Sequence, residues 1–161
     1  MKTPPQKPSL SPRDRHTLAS VFSAESPQRL AELPLTAQAL IALELAETQT
    51  EPQCWVTEGP EALARLEATV GALSGGTSEG VRVFPAREHA EAGDDEAEAG
   101  RAAARLRTLH ACRGDDPPRI VLTCVQALLQ PAPPPGRLTA RRFPVRRGDT
   151  LTPEELLGRL G

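Results

Sequence analysis

The chain has 161 residues, of which 39% are hydrophobic and 2% aromatic, and carries a formal net charge of −2 at pH 7. That length suits a single domain with a core of its own. The near-neutral charge excludes a global field that would draw the chain to nucleic acid or an anionic membrane, and the shortage of aromatic rings argues against a base-stacking platform.

The aromatics are Phe22, Trp55, Phe84 and Phe143, with no Tyr, so Leu, Val and Ala must fill the core. No apolar run approaches the ~20 residues of a membrane span. The Pro-rich, polar start has no apolar signal-peptide core. Cys54, Cys112 and Cys124 are far apart and form no CxxC pair. They are expected to be reduced thiols of a cytoplasmic protein, at least two of them at core positions.

In chain order, residues 1–12 read as a flexible leader holding Pro4, Pro5, Pro8 and Pro12. Leu18, Val21 and Phe22 suggest a short helix within residues 13–25. From Thr36, a plausible cap, the residues Leu40, Ile41, Leu43, Leu45 and Ala46 predict a largely buried helix to about Thr48. Glu44 and Glu47 are expected to mark its narrow solvent face. Gln53 to Thr57 reads as a buried strand. Glu58-Gly59-Pro60 is a turn into an amphipathic helix built on Leu63, Leu66, Val70 and Leu73, which stops at Ser74-Gly75-Gly76. Val81 to Pro85 is a second strand.

Residues 86–100 are acidic, and a helix is expected from Arg101 to Ala111 with Leu106 and Leu109 inward. Ile120 to Val125 is the clearest strand, and its apolar run suits a central parallel strand. One helical turn follows at Ala127, Leu128 and Leu129, then a stiff Pro-rich loop over Pro131 to Gly136. Residues 137–147 read as a further strand. Thr152-Pro153-Glu154-Glu155 is a capping box that starts a helix through Leu160. The alternation of strands and helices predicts an α/β fold with a parallel sheet flanked by helices.

The run from Glu32 to Ala39, which opens the first long helix, stands where a nucleotide-binding α/β domain carries its phosphate loop. A working loop reads G-x-x-x-x-G-K-[ST]: glycines bring N–H groups to the phosphates, Lys neutralises them, and the hydroxyl holds Mg²⁺. Here Glu32 and Ala37 replace the glycines, Gln38 the Lys and Ala39 the hydroxyl. The carboxylate of Glu32 would repel a phosphate. The fold is therefore read as a degenerate P-loop NTPase of RecA-like type that binds no nucleotide and needs no cofactor.

Four stretches, in order, resemble one family. They are Thr36-Ala37-Gln38-Ala39-Leu40; Val83-Phe84-Pro85 with Glu88 and, a helix later, Arg105-Leu106; the run from Ile120 to Pro131; and Gly148-Asp149-Thr150-Leu151 before Leu156, Leu157 and Leu160. Together they resemble the N-terminal module of the bacterial transcription-repair coupling factor, which is itself similar to excinuclease component B with its ATP site lost. The resemblance covers about residues 27–161. With the leader and its short helix set at 1–26, it implies a degenerate P-loop domain at 27–147 and the first helix of a following domain at 148–161.

The resemblance implies a non-catalytic part in transcription-coupled nucleotide excision repair. The parent of such a module is an ATP-dependent DNA translocase that displaces stalled RNA polymerase and recruits excinuclease component A. The N-terminal module serves recruitment and autoinhibition, and its partners are the other domains of the parent. Excinuclease component A binds through the domain that follows, and the full-length parent meets RNA polymerase and DNA. The family runs on through a Gly-Tyr pair where this chain has Gly161, so the resemblance implies a fragment. Two departures stand out: residues 89–99 are acidic and Ala-rich where the family has a Leu-Pro-Tyr and Ser-Pro loop, and the phosphate loop has lost every glycine.

Arg137, Arg141, Arg142, Arg146 and Arg147 form a basic segment without an acid. Arg141, Arg142 and Arg146 are the candidates for phosphate-backbone contact; the plainer reading is a solvated edge over buried Phe143 and Val145. The acids between Glu88 and Glu98 read as a solvated loop and helix start. His110 and Cys112 lack further ligands at zinc spacing, so no metal is expected. No nucleophile elbow is present. Three rivals stay open: a P-loop enzyme hydrolysing ATP with unusual residues, a stand-alone protein-interaction module, and a DNA-binding domain using the Arg segment.

Overall fold

A computed structural model describes residues 11–14, 33–75, 80–87, 95–134, 136–137 and 145–160. The chain divides into two compact units, Met1–Gln130 and Pro131–Gly161.

The first unit holds a three-stranded, all-parallel sheet in the order β1-β3-β2. Its strands are β1 (Gln53–Thr57), β2 (Val81–Phe84) and β3 (Ile120–Cys124). The most apolar strand is the central one, as its unbroken hydrophobic run predicts. Cys54 pairs with Val121 and Arg82 pairs with Val121 from the other side, so both edges share one centre.

Before β1 comes α1 (Leu35–Thr48), and between β1 and β2 lies α2 (Pro60–Leu73). In α1, Ala39, Ile41, Ala42 and Leu45 are all buried, so the helix is covered over most of its girth. The Thr48 hydroxyl donates to Glu44 O at 2.9 Å, and Gln49 turns extended. In α2, Pro60 occupies the first helical turn, where its missing N–H costs nothing. Leu63, Leu66 and Val70 then fall on one buried face. The helix ends at Ser74, and Gly75 follows at φ +70°, a left-handed value that suits glycine.

α3 (Asp95–Ala111) connects β2 to β3, and the short α4 (Val125–Leu129) leaves β3 directly. Parallel crossovers are right-handed. The path from β1 to β2 crosses β3 one way, and the path from β2 back to β3 runs the other way. α2 and α3 therefore cover opposite faces. On the α2 face, Leu63, Leu66 and Val70 gather with Ile120, Leu122 and Cys124. Each large aliphatic side chain buried there contributes about 1.5–3 kcal/mol.

α3 is tied down by polar groups more than by apolar ones. Arg105 and Thr108 are buried, whereas Leu106 is 45% exposed. The sequence places Leu106 inward; in the structure the inward stripe of α3 passes through Arg105 and Thr108, and only Leu109 joins the core. The helix also begins at Asp95, within the acidic stretch, rather than at Arg101.

Three further expectations are corrected. Thr36 does not cap α1: the helix starts at Leu35, with Pro34 before it and no side-chain cap. Glu44 is buried and only Glu47 faces solvent, because α1 is enclosed on the side that would have been its polar stripe. Of the cysteines, Cys124 alone is buried; Cys54 and Cys112 are exposed. Cys54 lies on the α3 face of an edge strand, where a single helix covers a three-stranded sheet.

In the second unit, α5 spans Pro153–Leu160. Its capping box is formed as expected: Thr152 N–H donates to Glu155 Oε2 at 3.0 Å, and Glu155 N–H donates to Thr152 Oγ1 at 3.2 Å. The strand expected over 137–147 is absent from its described positions: Arg137 is in a helical turn, and 145–147 hold no strand. Arg146 and Arg147 belong instead to a turn closed by the Asp149 N–H on Arg146 O at 3.0 Å. Positions 138–144 lie outside the described residues, as do 1–10 and 15–32, which hold most of the expected leader and its helix. In the described piece, residues 12–14 are helical, and Asp14 N–H donates to the Ser11 hydroxyl at 3.3 Å.

Candidate functional site

In a parallel α/β sheet, ligands bind beyond the carboxyl ends of the strands. A groove of about 360 Å³ opens at that end of β1, lined by Leu35, Gln38, Thr57, Glu58, Ala62 and Arg65. Each residue arrives for a local reason. Thr57 closes β1, and Glu58 opens the turn after it. Ala62 and Arg65 lie on the first turns of α2, and Leu35 and Gln38 on the first turn of α1. Gln38 is the residue that the sequence reading sets in the Lys position of a phosphate loop.

The groove does not form a phosphate cradle. Residues 35–37, which the sequence reading assigns to a phosphate loop, are wound into α1. Pro34 precedes them and has no N–H to donate. The Gln38 side chain turns back, its Nε2 donating to Leu33 O at 2.8 Å. Its backbone N–H donates to Pro34 O at 3.0 Å. Ala39 is fully buried and brings no hydroxyl to a metal. The Thr57 hydroxyl lies 3.1 Å from Gly59 O and 3.2 Å from Thr123 O, so it braces the strand end. Glu58 and Arg65, both exposed, put opposite charges on the rim. Ala37 is half-buried in the same turn, and Glu32 lies outside the described residues.

A second polar cluster stands at the carboxyl end of β2, and it is the one sequence reasoning missed. The Arg105 guanidinium reaches Pro85 O at 2.8 Å and Ala127 O at 3.3 Å through Nη1. Gln130 and Arg87 exchange a reciprocal pair: Arg87 N–H donates to Gln130 Oε1 at 2.6 Å, and Gln130 Nε2 donates to Arg87 O at 2.6 Å. The Thr108 hydroxyl donates to Val83 O at 2.7 Å and the Thr123 hydroxyl to Phe84 O at 2.9 Å. Burial, and then the nearby charge of Arg87, lower the Arg105 pKa. Arg87 and Arg101 both bridge Glu98, at 2.8 and 3.3 Å. The hydrogen bond from Arg87 is the main cause that holds the Glu98 carboxyl below its ordinary range. The available signal was a single Arg following Ala102, Ala103 and Ala104, a position that helical apolar periodicity ignores.

The candidate DNA-contacting residues are not assembled into a described surface. Arg141 and Arg142 lie outside the described residues. Arg146 is exposed; its N–H donates to Asp149 Oδ2 at 2.7 Å, and Asp149 N–H returns to Arg146 O at 3.0 Å. Val145 is 59% exposed, not buried as the edge-strand reading expects. Among the described residues, no group of three or more His, Cys, Asp or Glu gathers to hold a metal ion. No helix among them is long and apolar enough to cross a membrane.

Comparison with protein-family models, with curated proteins and with solved structures yields no match.

Proposed function

We propose that this chain is a non-catalytic N-terminal module of a transcription-repair coupling factor, built on a degenerate RecA-like P-loop domain. Its part is to mount the neighbouring recruitment domain for excinuclease component A and to restrain the parent DNA translocase. It works in the cytoplasm, without a cofactor. It meets RNA polymerase and DNA only through the full-length parent.

One observation carries this reading. The residues this reading assigns to the phosphate loop form the first turn of α1, and Gln38, its counterpart of the Lys, donates its amide to Leu33 O. A cleft in the usual place for nucleotide, with its chemistry replaced by self-contained hydrogen bonds, fits a domain kept for its shape. Exposed apolar groups suit contact with other parts of a parent: Leu128 and Leu129 on α4 are 54% and 80% exposed.

The test is an ATPase measurement. A coupling factor lacking its N-terminal module is assayed on DNA with increasing amounts of the purified chain. The expected outcome is a saturable fall in the hydrolysis rate. A rate unchanged up to saturating chain, or hydrolysis of ATP by the chain alone, overturns the reading.

A further inference from the structure

The α3 face of the sheet carries Phe84, Thr123 and Val56 in one row and Arg82, Val121 and Cys54 in the next, since paired residues of a parallel sheet share a face. α3 lies over this face: the Arg105 guanidinium stacks over the Phe84 ring and Thr108 bonds Val83 O. From there α3 runs antiparallel to the strands, toward their amino ends, and its chain must reach β3, the neighbour of β1. Cys112 is the first residue past α3, and its N–H donates to Thr108 O at 2.9 Å, so it continues the stripe that begins at Arg105 and Thr108. Cys54 is the second residue of β1, near the same amino edge and on the same face. Both thiols reach solvent. Desolvation first, and then the charge of Cys112, raise the Cys54 pKa.

We propose that Cys54 and Cys112 form a reversible disulfide that ties the edge strand β1 to the end of α3. A low-molecular-weight disulfide such as oxidised glutathione is the oxidant. One protein thiolate attacks it, forming a mixed disulfide and releasing one small thiolate. The second protein thiolate attacks the protein sulfur of that mixed disulfide and releases the other. Two protein thiols are oxidised to one disulfide, the small disulfide is reduced to two thiols, and the two protein protons pass to the leaving thiolates. Helix ends and edge strands open most readily, which supplies the movement that disulfide geometry demands.

The full chain, folded and reduced, is incubated with oxidised glutathione, alkylated, digested and mapped by mass spectrometry. The expected product has lost two hydrogens, joins the peptides holding Cys54 and Cys112, and leaves Cys124 alkylated only after unfolding. Cys54→Ser is expected to convert Cys112 to a glutathione adduct with no internal bond, and Cys124→Ser to change nothing. The oxidised chain should melt at a higher temperature than the reduced chain. Separate glutathione adducts on Cys54 and Cys112 of the unmutated chain, linkage only between copies, or equal linkage to Cys124 would each overturn the proposal.

Discussion

The Arg105 guanidinium sits 4.0 Å above the centre of the Phe84 ring, while its Nη1 reaches the carbonyl of Pro85, the residue that follows. One side chain thus ties α3 to the end of β2 and to α4. Replacing Arg105 with Leu removes the cation–π contact and leaves two inward carbonyls unmet. The expected loss is about 2–4 kcal/mol of unfolding free energy in a urea titration. Arg105→Lys keeps the charge without the planar fork, and should recover only part of it.

Thr123 is fully buried and donates to Phe84 O. Thr123→Val preserves the shape but not the donor. A cost of about 1–3 kcal/mol is expected in the same titration, from the carbonyl left without its partner. A loss near zero would mean that water or another donor takes its place.

Gln38→Lys adds a cation alone at the rim of the groove beside β1. Isothermal titration with ATP and Mg²⁺ should still give no heat of binding at micromolar ligand. α1 begins at Leu35, and a charge cannot replace the missing turn of N–H groups.

Cys54 and Cys112 both have raised thiol pKa values, in each case chiefly from partial desolvation of a thiol that still reaches solvent. Their neutral forms are favoured in the folded state. Modification by a thiol reagent under non-oxidising conditions should therefore be slow at pH 7 and accelerate as alkali generates thiolate. The linkage has a definite sign. Stability from these groups is full below the ordinary thiol pKa and falls as pH climbs through the raised values. Cys124 should stay unlabelled until the chain unfolds.

Thr152→Ala opens the capping box at the start of α5. It should cost that helix about 1 kcal/mol, visible as faster amide exchange in its first turn.

The sequence by itself determined the elements whose signals are local. The strand at Gln53–Thr57 appears with its expected bounds, Val81–Phe84 and Ile120–Cys124 differ by one residue, and the capping box at Thr152 forms as written. Turn residues, caps and apolar runs act over a few neighbours, so they are legible without knowing the fold. Only the tertiary structure decided which faces are inside. Glu44 is enclosed, Leu106 exposed and Arg105 buried because helix α1 is covered nearly all round and α3 bonds to carbonyls at strand ends. Those carbonyls belong to residues about twenty positions away along the chain from Arg105, and no periodicity of side chains reveals where backbone oxygens will converge.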